Sequence, residues 1–173
     1  MTTLSNQLDR KWADRLVDPL NILLCNLHVM RANACGIQHN GWGEQFLCID
    51  QALIEQIKHC SDAVARVSQR VLCLEGKPYT KLSEFVRYAT LNEVESSVGQ
   101  RVAVRVIRDG FSEIIRLERE IITTAQHGGD EVTASELTNL LKFQEETIWR
   151  MRSILRRSAF EEVYRKESAC SKY

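Results

Sequence analysis

Leu74-Glu75-Gly76-Lys77-Pro78-Tyr79-Thr80-Lys81-Leu82-Ser83-Glu84-Phe85-Val86 is the stretch on which the fold turns. Ahead of it Phe46, Leu53, Ile57, Cys60, Val64, Val67, Val71 and Leu74 recur at helical spacing, the apolar stripe of one long helix. Gly76 and Pro78 stop that helix, since glycine accepts the backbone turn at a helix end and proline cannot continue it. Thr80 then stands where it can cap a short helix through Leu82, Phe85 and Val86, followed by a polar stretch to about Ser97. A connection of this length returns the chain along the bundle and carries a helix of its own.

Upstream, Asp18-Pro19 reads as an N-cap with proline in the first helical position, and Leu20, Leu23, Leu24, Leu27 and Met30 follow at helical spacing. A first bundle helix is therefore expected from about residue 19 to the break at Asn40-Gly41-Trp42-Gly43. Leu4, Leu8, Trp12 and Leu16 suggest a separate amphipathic arm ahead of it, placed to pack on a neighbour. Downstream, Val104, Ile107, Phe111, Ile114, Ile115, Ile121 and Ile122 mark a third helix that ends at Gly128-Gly129. Thr133-Ala134-Ser135-Glu136 has the form of a capping box for a fourth, with Leu137, Leu140, Leu141, Ile148, Met151 and Leu155 on its apolar side. The fold class is all-α: four long helices joined short, long, short, the connectivity of ferritin-like bundles. The expected organisation is an arm over residues 1–17, a bundle over 18–155 and a basic tail over 156–173.

Composition fits this reading and narrows the partners. Lys plus Arg and Asp plus Glu both number 23, so no overall field draws the chain to nucleic acid or membrane, and any such attraction is local. No segment approaches the roughly 18 apolar residues that span a bilayer, and none has the form of a leader, so a cytoplasmic protein is expected. The six cysteines include no C-x-x-C pair and read as reduced, mostly buried thiols.

Three stretches resemble the Dps mini-ferritins: Leu74-Glu75-Gly76-Lys77-Pro78 with Lys81-Leu82-Ser83-Glu84-Phe85, then Gly129-Asp130-Glu131-Val132-Thr133, then Ile148-Trp149 with Met151. The resemblance covers most of the bundle. It implies a homo-oligomeric shell, a 12-mer, that oxidises and stores iron and in some members binds DNA. The family's oxidation site lies at a two-fold interface, where two histidines of one subunit face an aspartate and a glutamate of the other. Carried over without gaps, the histidine positions fall on Gln38 and Asp50 and the carboxylate positions on Ala65 and Gln69, so the resemblance implies a site largely dismantled.

His39, next to Gln38, and Asp50 are the candidate remnant metal residues. Glu55, His59 and Asp62 share a face of the second helix at a spacing that also suits a metal, but opposite the apolar stripe they read as a solvated or inter-subunit polar face. Glu131 and Glu136 are candidate lining of the family's acidic three-fold pore, and helix capping explains them equally well. From Arg150 onward, Arg150, Arg152, Arg156, Arg157, Arg165, Lys166 and Lys172 exceed Glu161, Glu162 and Glu167 by four positive charges. Arg156, Arg157, Arg165 and Lys166 are accordingly the candidate DNA contacts. The expected function is iron sequestration or nucleoid protection under stress, with iron as possible cargo and weak ferroxidase activity. Two rivals stand beside it: iron oxidation at a non-standard centre, and an architectural or DNA-binding subunit that co-assembles with an active paralogue.

Overall fold

A computed structural model describes residues 3–43 and 46–170, the side chains of Cys48 and of residues 157–170 excepted. The elements are α1 (Arg10–Asn40), α2 (Leu47–Cys73), α3 (Leu82–Tyr88), α4 (Gln100–His127) and α5 (Glu131–Cys170). α1 pairs with α2 and α4 with α5, while α1 also packs on α4 and α3. The inward faces bury Leu20, Leu23, Leu24 and Leu27 of α1 against Leu53, Val67 and Val71 of α2, Ile107, Phe111 and Ile114 of α4, and Leu137, Leu140 and Met151 of α5. No helix among the described residues is long and apolar enough to cross a membrane.

The start of α1 differs from the sequence expectation. The helix begins at Arg10, capped by the Asp9 carboxylate accepting from the Lys11 amide at 2.8 Å, and runs unbroken through Pro19. An interior proline costs about 3 kcal/mol. Leu16, Leu20 and Leu23 are all fully buried around it, at roughly 1.5–3 kcal/mol each, so packing outweighs the local preference. Among the described residues no separate arm helix precedes it. Leu4 and Leu8 close a turn through the Leu4 amide bonding the Leu8 carbonyl at 2.9 Å, with Gln7 at a positive φ. Leu4 is 2% exposed within its own subunit. Ser5 and Arg10 bind the Glu75 carboxylate and Asn6 donates to the Cys73 carbonyl, so this end fastens to the end of α2.

The long crossover has little regular hydrogen bonding of its own, and α1 supplies what it lacks. Three buried asparagines do this. The Asn21 amide donates to the Lys77 carbonyl and its oxygen accepts from the Tyr79 amide, at 3.0 and 2.9 Å. The Asn26 oxygen accepts from the Thr90 and Leu91 amides at 3.1 and 2.8 Å. Asn33 donates to the Asn92 carbonyl and accepts from the Val94 amide at 2.9 and 3.1 Å. The contacts ascend together, so the crossover runs parallel to α1 from its beginning to its end. There Trp42 donates to the Val98 carbonyl at 3.2 Å and α4 starts back down. α2 and α4 are therefore parallel to each other and antiparallel to α1, the ferritin arrangement. Within the crossover the Glu84 carboxylate accepts from the Thr80 and Lys81 amides, both at 3.0 Å, and caps α3.

Candidate functional site

Gln38 lies in the last turn of α1 and Asp50 in the first turn of α2, where the short break between them folds one helix end onto the other. The Gln38 amide donates to the Asp50 carboxylate at 3.0 Å. The two positions onto which the resemblance places histidines thus face each other, joined by an amide–carboxylate bond. His39 is exposed one residue further along. Ala65 and Gln69 are exposed on α2. As donors the four carried-over positions offer one carboxylate, already engaged, two carboxamides and a methyl group. That set does not fit a ferrous ion, which is held by several carboxylates and imidazoles. Among the described residues no group of three or more His, Cys, Asp and Glu side chains comes together as a metal site.

At the α4–α5 turn, Gly129 takes a positive φ of 72° and the next residue caps α5. That cap is Asp130, not Thr133 as the sequence suggests: its carboxylate accepts from the Thr133 amide at 3.0 Å. Arg70 of α2 reaches the same carboxylate with one guanidinium nitrogen at 2.8 and 2.9 Å and donates to the Thr133 hydroxyl at 2.6 Å. Burial works against the Asp130 charge, but the Thr133 hydroxyl and amide and the Arg70 guanidinium outweigh it and hold the carboxyl below its ordinary value. Glu131 is exposed in the first turn of α5 and Glu136 faces Arg66 at 3.8 Å. Arg156 is exposed in the second half of α5, and the side chains of Arg157, Arg165 and Lys166 lie outside the described residues.

A further group lies in the bundle interior. Glu118 of α4 is 0% exposed, and its Oε1 accepts from Gln144 Nε2 of α5 at 2.8 Å. The same amide nitrogen stands 3.5 Å from His59 Nε2 of α2. His59 does not lie on a solvated face: its ring stacks on Phe143 at 4.1 Å and leans on Phe111. Burial lowers its pKa to about 4, with Asp62 opposing and Arg66 assisting, so the ring is neutral. Glu55 instead pairs with Arg150 at 3.2 Å and Asp62 is exposed, so the three polar residues of that α2 stripe diverge. Gln56 and Thr147, both buried, bond each other at 3.2 Å one turn along. Glu118 occupies the helical phase of Ile107, Phe111, Ile114, Ile121 and Ala125, so a carboxylate on an apolar stripe is the sequence signal that marks it.

The ferritin-like domain matches residues 17–159, and the chain belongs to that family. Its likeness there is to Dps proteins. A DNA protection during starvation protein from Porphyromonas gingivalis is 28% identical over 134 residues, covering 78% of this chain and 84% of the relative. The crystal structure of the Dps protein of Vibrio cholerae O1, described as a member of a broad superfamily of ferritin-like diiron-carboxylate proteins, matches with a TM-score of 0.86 at 26% identity, over 90% of this chain and 98% of that one. Dps from Staphylococcus aureus shares the fold at a TM-score of 0.77 and 20% identity, over 81% of this chain and 94% of its own.

Proposed function

We propose that the chain is the subunit of a closed Dps-like shell, a 12-mer, that sequesters iron or shields DNA under stress in the cytoplasm, and that it oxidises ferrous iron slowly. The observation that carries the last point is the Gln38–Asp50 bond, which fills with an amide and a carboxylate the place where the family holds two imidazoles. Assembly is supported by the outer face of the crossover. Leu82 and Val86 of α3 are 80% and 60% exposed beside a largely apolar cleft of about 280 Å³, and a lone subunit leaves them in water. In such a shell Glu131 and Glu136 line a weakened cation pore, His39 and Asp50 form a residual cation contact, and Arg156 with Arg157, Arg165 and Lys166 meets DNA phosphates near the nucleoid.

The test is stopped-flow oxidation of Fe(II) by peroxide. The unmodified shell is expected to be slow, and the combined variant Gln38→His, Asp50→His, Ala65→Asp, Gln69→Glu is expected to be faster, because it restores imidazole and carboxylate donors. Rapid oxidation by the unmodified protein that is abolished by His39→Ala or Asp50→Ala would replace this reading with a non-standard ferroxidase centre.

A further inference from the structure

Two buried polar atoms of the bundle interior have no hydrogen-bond partner among the described residues: Glu118 Oε2 and Gln144 Oε1. Both are acceptors if the acid is ionised, and they belong to side chains already joined at 2.8 Å through their other atoms. The Gln144 amide has two N–H groups. One donates to Glu118 Oε1, and the same nitrogen lies 3.5 Å from His59 Nε2. What the cluster lacks is a donor for two remaining acceptors. One hydrogen on Glu118 Oε2 would remove the charge and make that atom a donor, on a side chain already bonded to the one that bears the bare Gln144 oxygen. Leaving two buried acceptors bare, one of them charged, costs far more than protonating a carboxylate.

We propose that Glu118 is a neutral acid in the folded protein, and that with Gln144 it forms a proton-operated latch between α4 and α5, closed toward acid pH and loosened toward alkaline pH. The surroundings are consistent from every packed element. From α2 come the neutral His59 and the Cys60 thiol, whose pKa burial pushes up to about 12, with Glu118 adding to the rise. From α1, Arg31 and Cys35 act on Cys60, the first lowering and the second raising its pKa. On Glu118 itself burial dominates, opposed by the Gln144 bond, and raises its pKa from 4.5 to about 8. Opening is the loss of one proton from Oε2 to solvent, which leaves an anion fully buried in the bundle interior near Cys60.

The sign is fixed by linkage. A group whose folded pKa is raised contributes stability that is fully present below its unfolded value and is lost as pH rises through the folded value. For Glu118 the loss runs from about pH 4.5 to about 8. His59 acts the other way, losing stability as pH falls from 6.5 to about 4. The two slopes oppose one another between about 4.5 and 6.5, and above 6.5 only that of Glu118 remains. The window from pH 6.5 to 8.5 therefore isolates it.

The experiment is equilibrium unfolding of the full chain in urea across that window, for the wild type and for Glu118→Gln, which keeps the shape and the donor without the titration. The wild-type unfolding constant is expected to rise about tenfold per pH unit up to pH 8 and then level off. In Glu118→Gln that rise is expected to vanish. A wild type with no rise, or a Glu118→Gln protein with the same rise, overturns the proposal. Should Glu118→Gln fail to fold, infrared spectra of wild-type protein carrying carboxyl-labelled glutamate decide. A protonated-acid carbonyl band present at pH 6.5 and lost near pH 8 supports the latch; only carboxylate bands at pH 6.5 refute it.

Discussion

Replacing Asp130 by alanine removes two things at once. The first is the N-cap of α5, where the carboxylate holds the Thr133 amide at 3.0 Å; loss of such a cap costs about 1 kcal/mol. The second is the partner of Arg70. That pair has side-chain exposures of 12% and 3%, well inside the range in which stripping one member strands the other charge, at about 3–5 kcal/mol. The sum is about 4 kcal/mol, because the Thr133 hydroxyl still offers the guanidinium an acceptor at 2.6 Å. For a chain of this length each kcal/mol lowers the melting temperature by roughly 2–4 °C, so Asp130→Ala is expected to melt about 8–16 °C below the wild type. Thermal circular dichroism at matched subunit concentration checks this, since assembly makes the melting temperature depend on concentration. Arg70→Met combined with Asp130→Ala is expected to recover part of the loss, as no charge is then left stranded. The acid limb provides a second check. With its folded pKa depressed, Asp130 contributes stability present above its ordinary value of 3.8 and lost as pH falls through the folded value, so Asp130→Ala should flatten the acid limb. A drop below 2 °C, or a double variant as unstable as the sum of the singles, would refute the reasoning.

Two other outcomes follow from the structure. A Cβ at Gly76 would lie 2.7 and 2.8 Å from the two methyls of Val17, a stiff β-branched side chain, so Gly76→Ala is expected to cost about 1–3 kcal/mol; an unchanged urea midpoint would show that α1 and the α2 end separate freely. Neutralising Arg156, Arg157, Arg165 and Lys166 is expected to weaken DNA binding on every sequence and flatten its salt dependence in gel shifts, whereas unchanged binding by a chain ending at Leu155 would place the contact elsewhere.

The helices and their order were legible because this chain punctuates them with strong local signals, such as Asn40-Gly41 after α1, Gly76-Lys77-Pro78 after α2 and Gly128-Gly129 after α4. Misreadings arose where a local signal lost to packing. Asp18-Pro19 has the chemistry of a helix start, yet the apolar faces on both sides of it are buried in one continuous helix. Thr133 has the form of a cap, but Asp130 precedes it by three residues, carries a charged carboxylate, and is held by Arg70 from a helix distant in sequence. The polar centre was hidden for a different reason. His59 read as solvent-facing because its α2 neighbours Glu55 and Asp62 are charged, and only the approach of Phe143 from α5 turns that position inward. Glu118 carried a signal in its phase along α4, though the partner that makes it intelligible, Gln144, is 26 residues away.

The asparagines of α1 also determine how much slack the crossover has. Asn26 and Asn33 are seven residues apart on a helix, about 10.5 Å along its axis. The chain they hold advances in the same interval only from Leu91 to Val94, three residues, whose greatest reach is about 10–11 Å. This part of the crossover is drawn nearly straight between two fixed posts. Removing one residue there cannot be absorbed by the loop and must unfasten an asparagine, exposing either its buried amide or the backbone groups it serves. Adding a residue only bows the strand outward, so tolerance of length change at this place runs in one direction.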